Sequence, residues 1–233
     1  MADPVCAVIG VGPGIGLALV RRFATAGYRV AMVSRSAERL AAHEADIPQA
    51  RGFAADAADP DSLRHALEKV AEELGPVSVL CYNAGSGSWA LPEDTTVAEM
   101  EAAWRTNALG LLVAAQTVAP SMLEAGRGAI MVTGATASLR GRPRTTAFAA
   151  AKAAQRSLAE SLARHWGPRG IHVALFVIDG VVDLPRTRDM LPDKPDDFFL
   201  KPADIAETIF FVAHQPASAW SFQIDLRPFG EAW

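Results

Sequence analysis

Seven short apolar runs recur along the chain, each separated from the next by a longer stretch of helical periodicity. The runs are Val5 to Ile9, Arg29 to Ser34, Arg51 to Ala54, Val77 to Tyr82, Ala129 to Thr133, His172 to Ile178 and Ser221 to Leu226. Helix-like stretches lie near Gly14 to Ala26, Ala37 to Glu44, Asp61 to Leu74, Val97 to Ala125, Thr146 to Trp166 and Pro202 to His214. Strands separated by helices of that length need crossover connections, and crossovers produce a parallel sheet covered on both faces. The expected fold is therefore α/β, doubly wound, with a seven-stranded parallel sheet. At 233 residues the chain is expected to form one domain, residues 1–233.

One segment breaks the alternation. From Asp179 to Leu200 the sequence turns to proline and aspartate and ends near Phe198 and Phe199. Too few residues follow it to build a second domain, so residues 179–200 are expected to be a flap over a site. With Trp89, those phenylalanines suggest an apolar pocket with aromatic lining.

Hydrophobic residues make up 50% of the chain and charged ones 21%, the balance of a compact soluble protein. A net charge of -4 leaves no electrostatic footprint for nucleic acid or an anionic membrane. No apolar run reaches the roughly 18 residues of a membrane helix, and no basic region precedes the first apolar run. A cytoplasmic protein acting on a small molecule is the expectation. Cys6 and Cys81 both fall in strand-like runs and read as buried thiols. The histidines at 43, 65, 165, 172 and 214 lack ligand spacing, so no metal site is expected.

Directly after the first strand stands Gly10-Val11-Gly12-Pro13-Gly14-Ile15-Gly16, followed by an apolar-periodic helix. Glycines permit a tight turn and close backbone approach, and free amides at a helix start face a diphosphate. In this strand–turn–helix setting the motif reads as nucleotide binding. The second strand ends in Ser34-Arg35 rather than in a carboxylate, so a 2'-phosphate would be paired rather than repelled, and NADP(H) is favoured over NAD(H). Asp56, followed by Ala57 at the end of the third strand, would accept from an adenine amino group or serve as a turn residue.

Asn83-Ala84-Gly85 follows the fourth strand, Asn107-Ala108-Leu109-Gly110 lies in the fourth helical stretch and Lys152 in the fifth. In that order and spacing, with the glycine loop, the chain resembles the short-chain dehydrogenase/reductase superfamily of the classical type over essentially its whole length. The resemblance implies a Rossmann-like domain, a homodimer or homotetramer, and hydride transfer between a nicotinamide and a carbonyl or alcohol. It further implies that Gly10, Gly12, Gly14, Ile15 and Gly16 line the diphosphate, and that Asp56 and Asn83 border the adenosine half. Lys152 would bond the nicotinamide ribose and Asn107 would hold a relay water. Trp104, one turn before Asn107, reads as core.

The departures are equally specific. The tyrosine expected four residues before the lysine is Phe148, and the serine slot at the end of the fifth strand is Ala135. The proline-glycine pair after the sixth strand is Asp179-Gly180, and the first asparagine of the Asn-Asn-Ala-Gly motif is Tyr82. The wider tyrosine-to-lysine spacing of the enoyl-reductase variant meets only Thr145 and Thr146, and the chain's tyrosines, Tyr28 and Tyr82, belong to other elements.

Hydride addition to a ketone builds negative charge on oxygen, which an acid must quench, and phenylalanine is no acid. Among replacements, Thr136 is the first hydroxyl to test, ahead of Ser138, Ser86, Ser88 and Asp183; Lys152 donating through a water is another route. Two functions stay open. One is an atypical NADPH-preferring oxidoreductase acting on a small carbonyl or polarised double bond; the other is a catalytically silent dinucleotide-binding protein, a redox sensor or assembly subunit. A lyase or dehalogenase ranks below both, because such relatives usually keep serine and tyrosine and alter the glycine loop. Self-association is expected through the alanine-rich helices, and SFQIDLRPFGEAW reads as a last strand plus a tail reaching a neighbouring subunit.

Overall fold

A computed structural model describes residues 3–230; Glu231 to Trp233, the end of the expected tail, lie outside the described residues. The chain runs β1 (Val5–Ile9), α1 (Ile15–Thr25), β2 (Arg29–Ser34), α2 (Ala37–Asp46), β3 (Ala50–Ala54), α3 (Pro60–Leu74) and β4 (Val77–Tyr82). It continues through α4 (Val97–Trp104), α5 (Gly110–Glu124), β5 (Gly128–Thr133), α6 (Thr146–Trp166) and β6 (Ile171–Ile178). The remainder is β7 (Val181–Val182), α7 (Pro185–Met190), β8 (Phe199–Leu200), α8 (Pro202–Ala213) and β9 (Gln223–Leu226).

Seven of these strands form one parallel sheet in the order β3-β2-β1-β4-β5-β6-β9, an α/β Rossmann-like arrangement. The order reverses between β1 and β4, and at such a switch the loops leaving the two strands diverge and open a crevice. Alternation along each strand feeds two cores. In β1, Val5, Ala7 and Ile9 pack with α3, α5 and α6, whereas Cys6 and Val8 pack with α1 and α8. Both cysteines are buried free thiols.

Local chemistry sets the helix starts. Asp59 accepts from the amides of Asp61 and Ser62 and precedes Pro60, so α3 starts one residue earlier than expected. Thr96 and Glu99 form a reciprocal capping box at the start of α4. The single helix expected over Val97 to Ala125 is interrupted: residues Arg105–Leu109 form a π turn centred on Asn107. The Asn107 amide donates to Ala103 O at 2.8 Å and to Ser86 O at 2.7 Å, so a side chain competes with the helix ladder. Trp104, the last residue of α4 before that turn, is 47% exposed rather than core.

Residues 179–200 are more ordered than an irregular loop. β7 and β8 pair in parallel, α7 lies between them, and Asp183 accepts from Arg188 at 2.6 Å and Lys201 at 2.6 Å. Among the described residues no helix is long and apolar enough to cross a membrane.

Candidate active site

The glycine loop takes its shape from packing against β4. Gly10 has φ +92°, and a Cβ there would stand 2.5 Å from Ala84 N; one at Gly16 would strike Gly10 O. Asn83 Nδ2 donates to Gly10 O at 2.8 Å and ties the two strand ends together. A Cβ on Gly12 would meet nothing within 4 Å, while one on Gly14 would lie 2.7 Å from Leu184 Cδ2 in the segment after β7. Gly12 therefore faces open space, and Gly14 is covered by Leu184.

That space is a cavity of about 430 Å³ lined by Gly10, Gly12, Ser34, Arg35, Arg39, Asp56, Ala57, Asn83, Ala84 and Gly85, with Ser36 and Thr106 among its other neighbours. Ser34 Oγ is buried without a partner, and the Arg35 and Arg39 guanidinia make no hydrogen bond or ion pair among the described residues. Asp56 Oδ1 accepts from Ala58 N at 2.9 Å, so this carboxylate braces its own turn as well as lining the cavity. A glycine cradle, an orphaned hydroxyl and two unpaired cations suit a phosphate-bearing dinucleotide.

A second cavity, of about 610 Å³, adjoins the first through Asn83 and Gly85. Ile15, Ala135, Thr136, Phe148, Lys152, Asp179 and Gly180 line it, with Trp89 and Phe198. Alanines at 147, 149 and 151 favour the helix that carries Phe148 and Lys152 on one face. Phe148 lies under Gly87, where a Cβ would stand 2.6 Å from Phe148 Cβ, and its ring is 5.6 Å from that of Trp89. Phe148 and Trp89 thus give this cavity an aromatic pair without a hydroxyl.

Lys152 is buried, and its Nζ donates to Thr133 O at 2.9 Å and Gln155 Oε1 at 3.0 Å. Both acceptors are neutral, and burial lowers the ammonium pKa to about 7. Gln155 in turn donates through Nε2 to Asn107 O at 3.0 Å. Gln155 is fully buried and connects the lysine to the π turn, a role that the sequence reading missed. Its position three residues after Lys152, on the same helix face, was the available signal. Asn107 lines neither cavity, but its Oδ1 is buried without a partner. It stands 3.3 Å from the Cβ position of Gly85, and Lys152 Nζ stands 3.4 Å from the same point.

Two of the other hydroxyls are committed elsewhere. Ser138 Oγ accepts from Ala135 N at 3.1 Å, and Thr136 Oγ1 donates to Asp179 Oδ1 at 2.6 Å. Asp179 Oδ2 also accepts from Arg227 Nε at 3.1 Å and Nη2 at 2.7 Å. The Thr136 hydroxyl, and then Arg227 and Arg140, hold the Asp179 carboxyl below its ordinary pKa. Gly180 is required by crowding, since a Cβ there would lie 2.8 Å from Pro228 Cδ. Asp183 is tied to Arg188 and Lys201 and does not line the cavity. Tyr82 is fully buried and donates to Thr106 O, with burial raising its pKa strongly; Tyr28 bonds His214 at 2.8 Å, away from this cavity. Phe199 departs from the expected lining: it is buried, with the Arg188 guanidinium 4.0 Å above its ring.

Residues 4–194 match the short chain dehydrogenase family. The chain is 31% identical over 226 residues to the D-threitol dehydrogenase of Mycolicibacterium smegmatis, covering 92% of this chain and 87% of that protein. It is 30% identical over 232 residues to a galactitol 2-dehydrogenase (L-tagatose-forming) of Cereibacter sphaeroides, covering 93% and 90%. A short-chain dehydrogenase from Rhodopseudomonas palustris superposes with a TM-score of 0.84 at 32% identity, over 98% of this chain and 100% of the other. A metagenomic short-chain oxidoreductase in complex with NADP gives 0.85 at 25% identity, over 99% of each chain. With the glycine cradle at the switch of a parallel sheet and the lysine-bearing cavity beside it, the chain belongs to the short-chain dehydrogenase family and is an NAD(P)-dependent oxidoreductase.

Proposed function

We propose that the protein is an NADPH-preferring reductase of a small carbonyl or polarised double bond in which Lys152, not a tyrosine, holds the transferable proton. The observation that carries this reading is the buried Lys152 amine, with a pKa near 7 and neutral acceptors, in a cavity that adjoins the dinucleotide cradle. A bound nicotinamide dinucleotide supplies or accepts the hydride. Gly10, Gly12, Gly14, Ile15 and Gly16 with Ser34, Asp56, Ala57, Asn83, Ala84 and Gly85 hold its adenosine and diphosphate. Arg35, supported by Arg39, pairs a 2'-phosphate and sets the preference for NADP(H). Asp179 and Gly180 border the nicotinamide end.

Lys152 Nζ releases a proton to the oxygen on which charge develops and recovers one through water accepted by Asn107 Oδ1. A group whose pKa lies near the working pH serves this exchange best. Gln155 fixes the amine and the Asn107 carbonyl in one network. Phe148 and Ala135 offer no proton and shape an apolar wall. Thr136 is a weak candidate for the acid, because its hydrogen is directed at Asp179. The segment 179–200 closes the cavity as a flap within a single domain spanning the chain, and the protein acts as a homodimer or homotetramer in the cytoplasm.

The test is NADPH oxidation across aldehydes, ketones, quinones and enones, beside Lys152→Ala. Turnover of at least one class, lost in the variant, is the expected result. Tight NADPH binding without turnover of any class would favour the second reading, a silent dinucleotide-binding protein, to which Ala135 and Phe148 point.

A further inference from the structure

The rim of the second cavity carries a charge that hydride chemistry does not require. Arg140 and Arg142 both line it, on either side of Gly141, whose Cβ position is 3.7 Å from Ala149 Cβ. Arg142 is pinned at its backbone: its N–H donates to Thr145 Oγ1 at 2.8 Å, and its carbonyl accepts from that hydroxyl at 3.0 Å and from Thr145 N at 3.0 Å. Thr145 is buried and stands three residues before Phe148. The same segment reaches the aromatic wall, since Arg144 Nη2 donates to Trp89 O at 3.4 Å. The basic segment, Trp89 and Phe148 thus belong to one packed unit.

The guanidinium of Arg142 has no hydrogen bond or ion pair among the described residues, and Arg140 approaches Asp179 Oδ1 only at 3.9 Å. Asp179 is the one carboxylate among the residues lining this cavity, and Thr136 and Arg227 already engage it. Lys152 is the remaining cation of the lining. In a chain of net charge -4 this leaves an excess of positive charge in a cavity that also carries the aromatic pair of Phe148 and Trp89. A guanidinium presents a planar fork of donors that matches carboxylate and phosphate oxygens.

We infer that the substrate of this cavity is a carbonyl compound bearing an anionic oxyacid group, carboxylate or phosphate. Arg140 and Arg142 receive that group while the apolar body lies against Phe148 and Trp89. The inference rests on the reading that the cavity takes a reducible carbonyl, and it deepens that reading by naming the substrate class.

The experiment has two arms. In the first, NADPH oxidation is followed with benzoylformate and with its methyl ester, which lacks the charge, adds one methyl group and has the more electrophilic ketone, so that a preference for the acid runs against intrinsic reactivity. The acid is expected to show a kcat/KM at least about tenfold higher, a preference that falls toward one in Arg140→Ala/Arg142→Ala and narrows at high salt. Arg142→Lys, which keeps the charge and loses the fork, should retain part of it. Equal values in the unmutated protein, or a preference that survives the double substitution, would overturn the inference. The second arm needs no turnover. Phenylacetate, phenyl phosphate and phenylacetamide are titrated into the NADP⁺-loaded protein while tryptophan fluorescence is recorded. Either anion binding at least about tenfold more tightly than the amide supports the inference and identifies the preferred head group. No difference overturns it even if the protein proves to be a reductase of neutral carbonyls, and anion selectivity without turnover would count against the reductase reading alone.

Discussion

The two adjoining cavities are built on different principles. In the first the protein contributes backbone: Gly10 at φ +92° against Ala84, Gly16 against Gly10 O, and Asn83 bracing the loop. In the second it contributes side chains, with Phe148, Ala135, Gln155 and the Thr136–Asp179–Arg227 chain around one buried amine. A diphosphate cradle is a steric shape that tolerates little change, whereas proton transfer needs only some group of suitable pKa within reach.

The largest effect should come from breaking the backbone cradle. Gly10→Ala forces an L side chain to a left-handed φ and into Ala84 N, so NADPH binding should weaken by roughly 100-fold or more and the melting temperature should fall, the strain amounting to about 1–3 kcal/mol. Gly12→Ala, whose Cβ meets nothing, should weaken NADPH binding while leaving the melting temperature in place. If both variants melt like the parent and bind NADPH normally, the cradle is misassigned.

On the side-chain half, Lys152→Met should lower kcat by roughly 10²- to 10⁴-fold on any substrate the screen finds. It should also remove an inflection near pH 7 from the rate profile of the parent. The same group makes a stability prediction of opposite sense to the usual lysine. Its folded pKa lies below its unfolded value, so between about pH 7 and about pH 10 the unfolded chain binds the additional proton and stability rises with pH. Thermal melts of Lys152→Met against the parent should diverge as the pH is lowered from about 10 to about 7, the variant gaining relative to the parent. Curves that stay parallel would mean that the amine is not titrating in that window.

Two smaller changes sharpen the contrast. Ala135→Ser with Phe148→Tyr places two hydroxyls in the cavity that Lys152 lines and should raise reduction of activated ketones by about 10- to 100-fold; an unchanged rate would show that pocket shape, not the acid, limits turnover. Arg35→Ala should narrow the ratio of NADPH to NADH affinity by about tenfold, the scale of one charge-assisted bond. A parent with equal affinities would remove any role for Arg35 in cofactor choice.

Most of the architecture was legible because it follows from periodicity. Apolar runs joined by helices admit one economical layout, and the strand order and the position of the glycine loop agree with it. What stayed hidden depends on side-chain partners. Asn107 is legible as the holder of a relay water inside one helix-like stretch, but the reach of its amide back to Ala103 O, where the ladder opens into a π turn, is not. Trp104 looked like core by composition, but it ends α4 before that turn and faces out. Phe198 and Phe199 were read together; only Phe198 lines the cavity, because adjacent residues entering a strand point to opposite sides. Asp179 and Arg227 lie 48 positions apart and meet because β6 and β9 are neighbours, a pairing that no local pattern contains.

The smallest predicted effect concerns the segment 179–200, which borders the second cavity. Asp183 accepts from Arg188 and Lys201, and these bonds, Arg188 first, hold its carboxyl far below the ordinary range. The stabilisation this implies is fully present above about pH 4, the unfolded value, and is lost as pH falls through the lower folded value. Because Arg188 and Lys201 are partly open to solvent, screening keeps the contribution of the cluster to stability small. Asp183→Asn should therefore shift the melt only slightly. Its effect on the cavity should be easier to read, since Asp183 directly precedes Leu184, the side chain that covers Gly14. Loosening that cover should speed NADP⁺ release in a stopped-flow displacement assay more than it lowers the melting temperature. A variant that melts earlier but releases NADP⁺ at the parental rate would make the cluster a brace for the fold rather than a latch on the site.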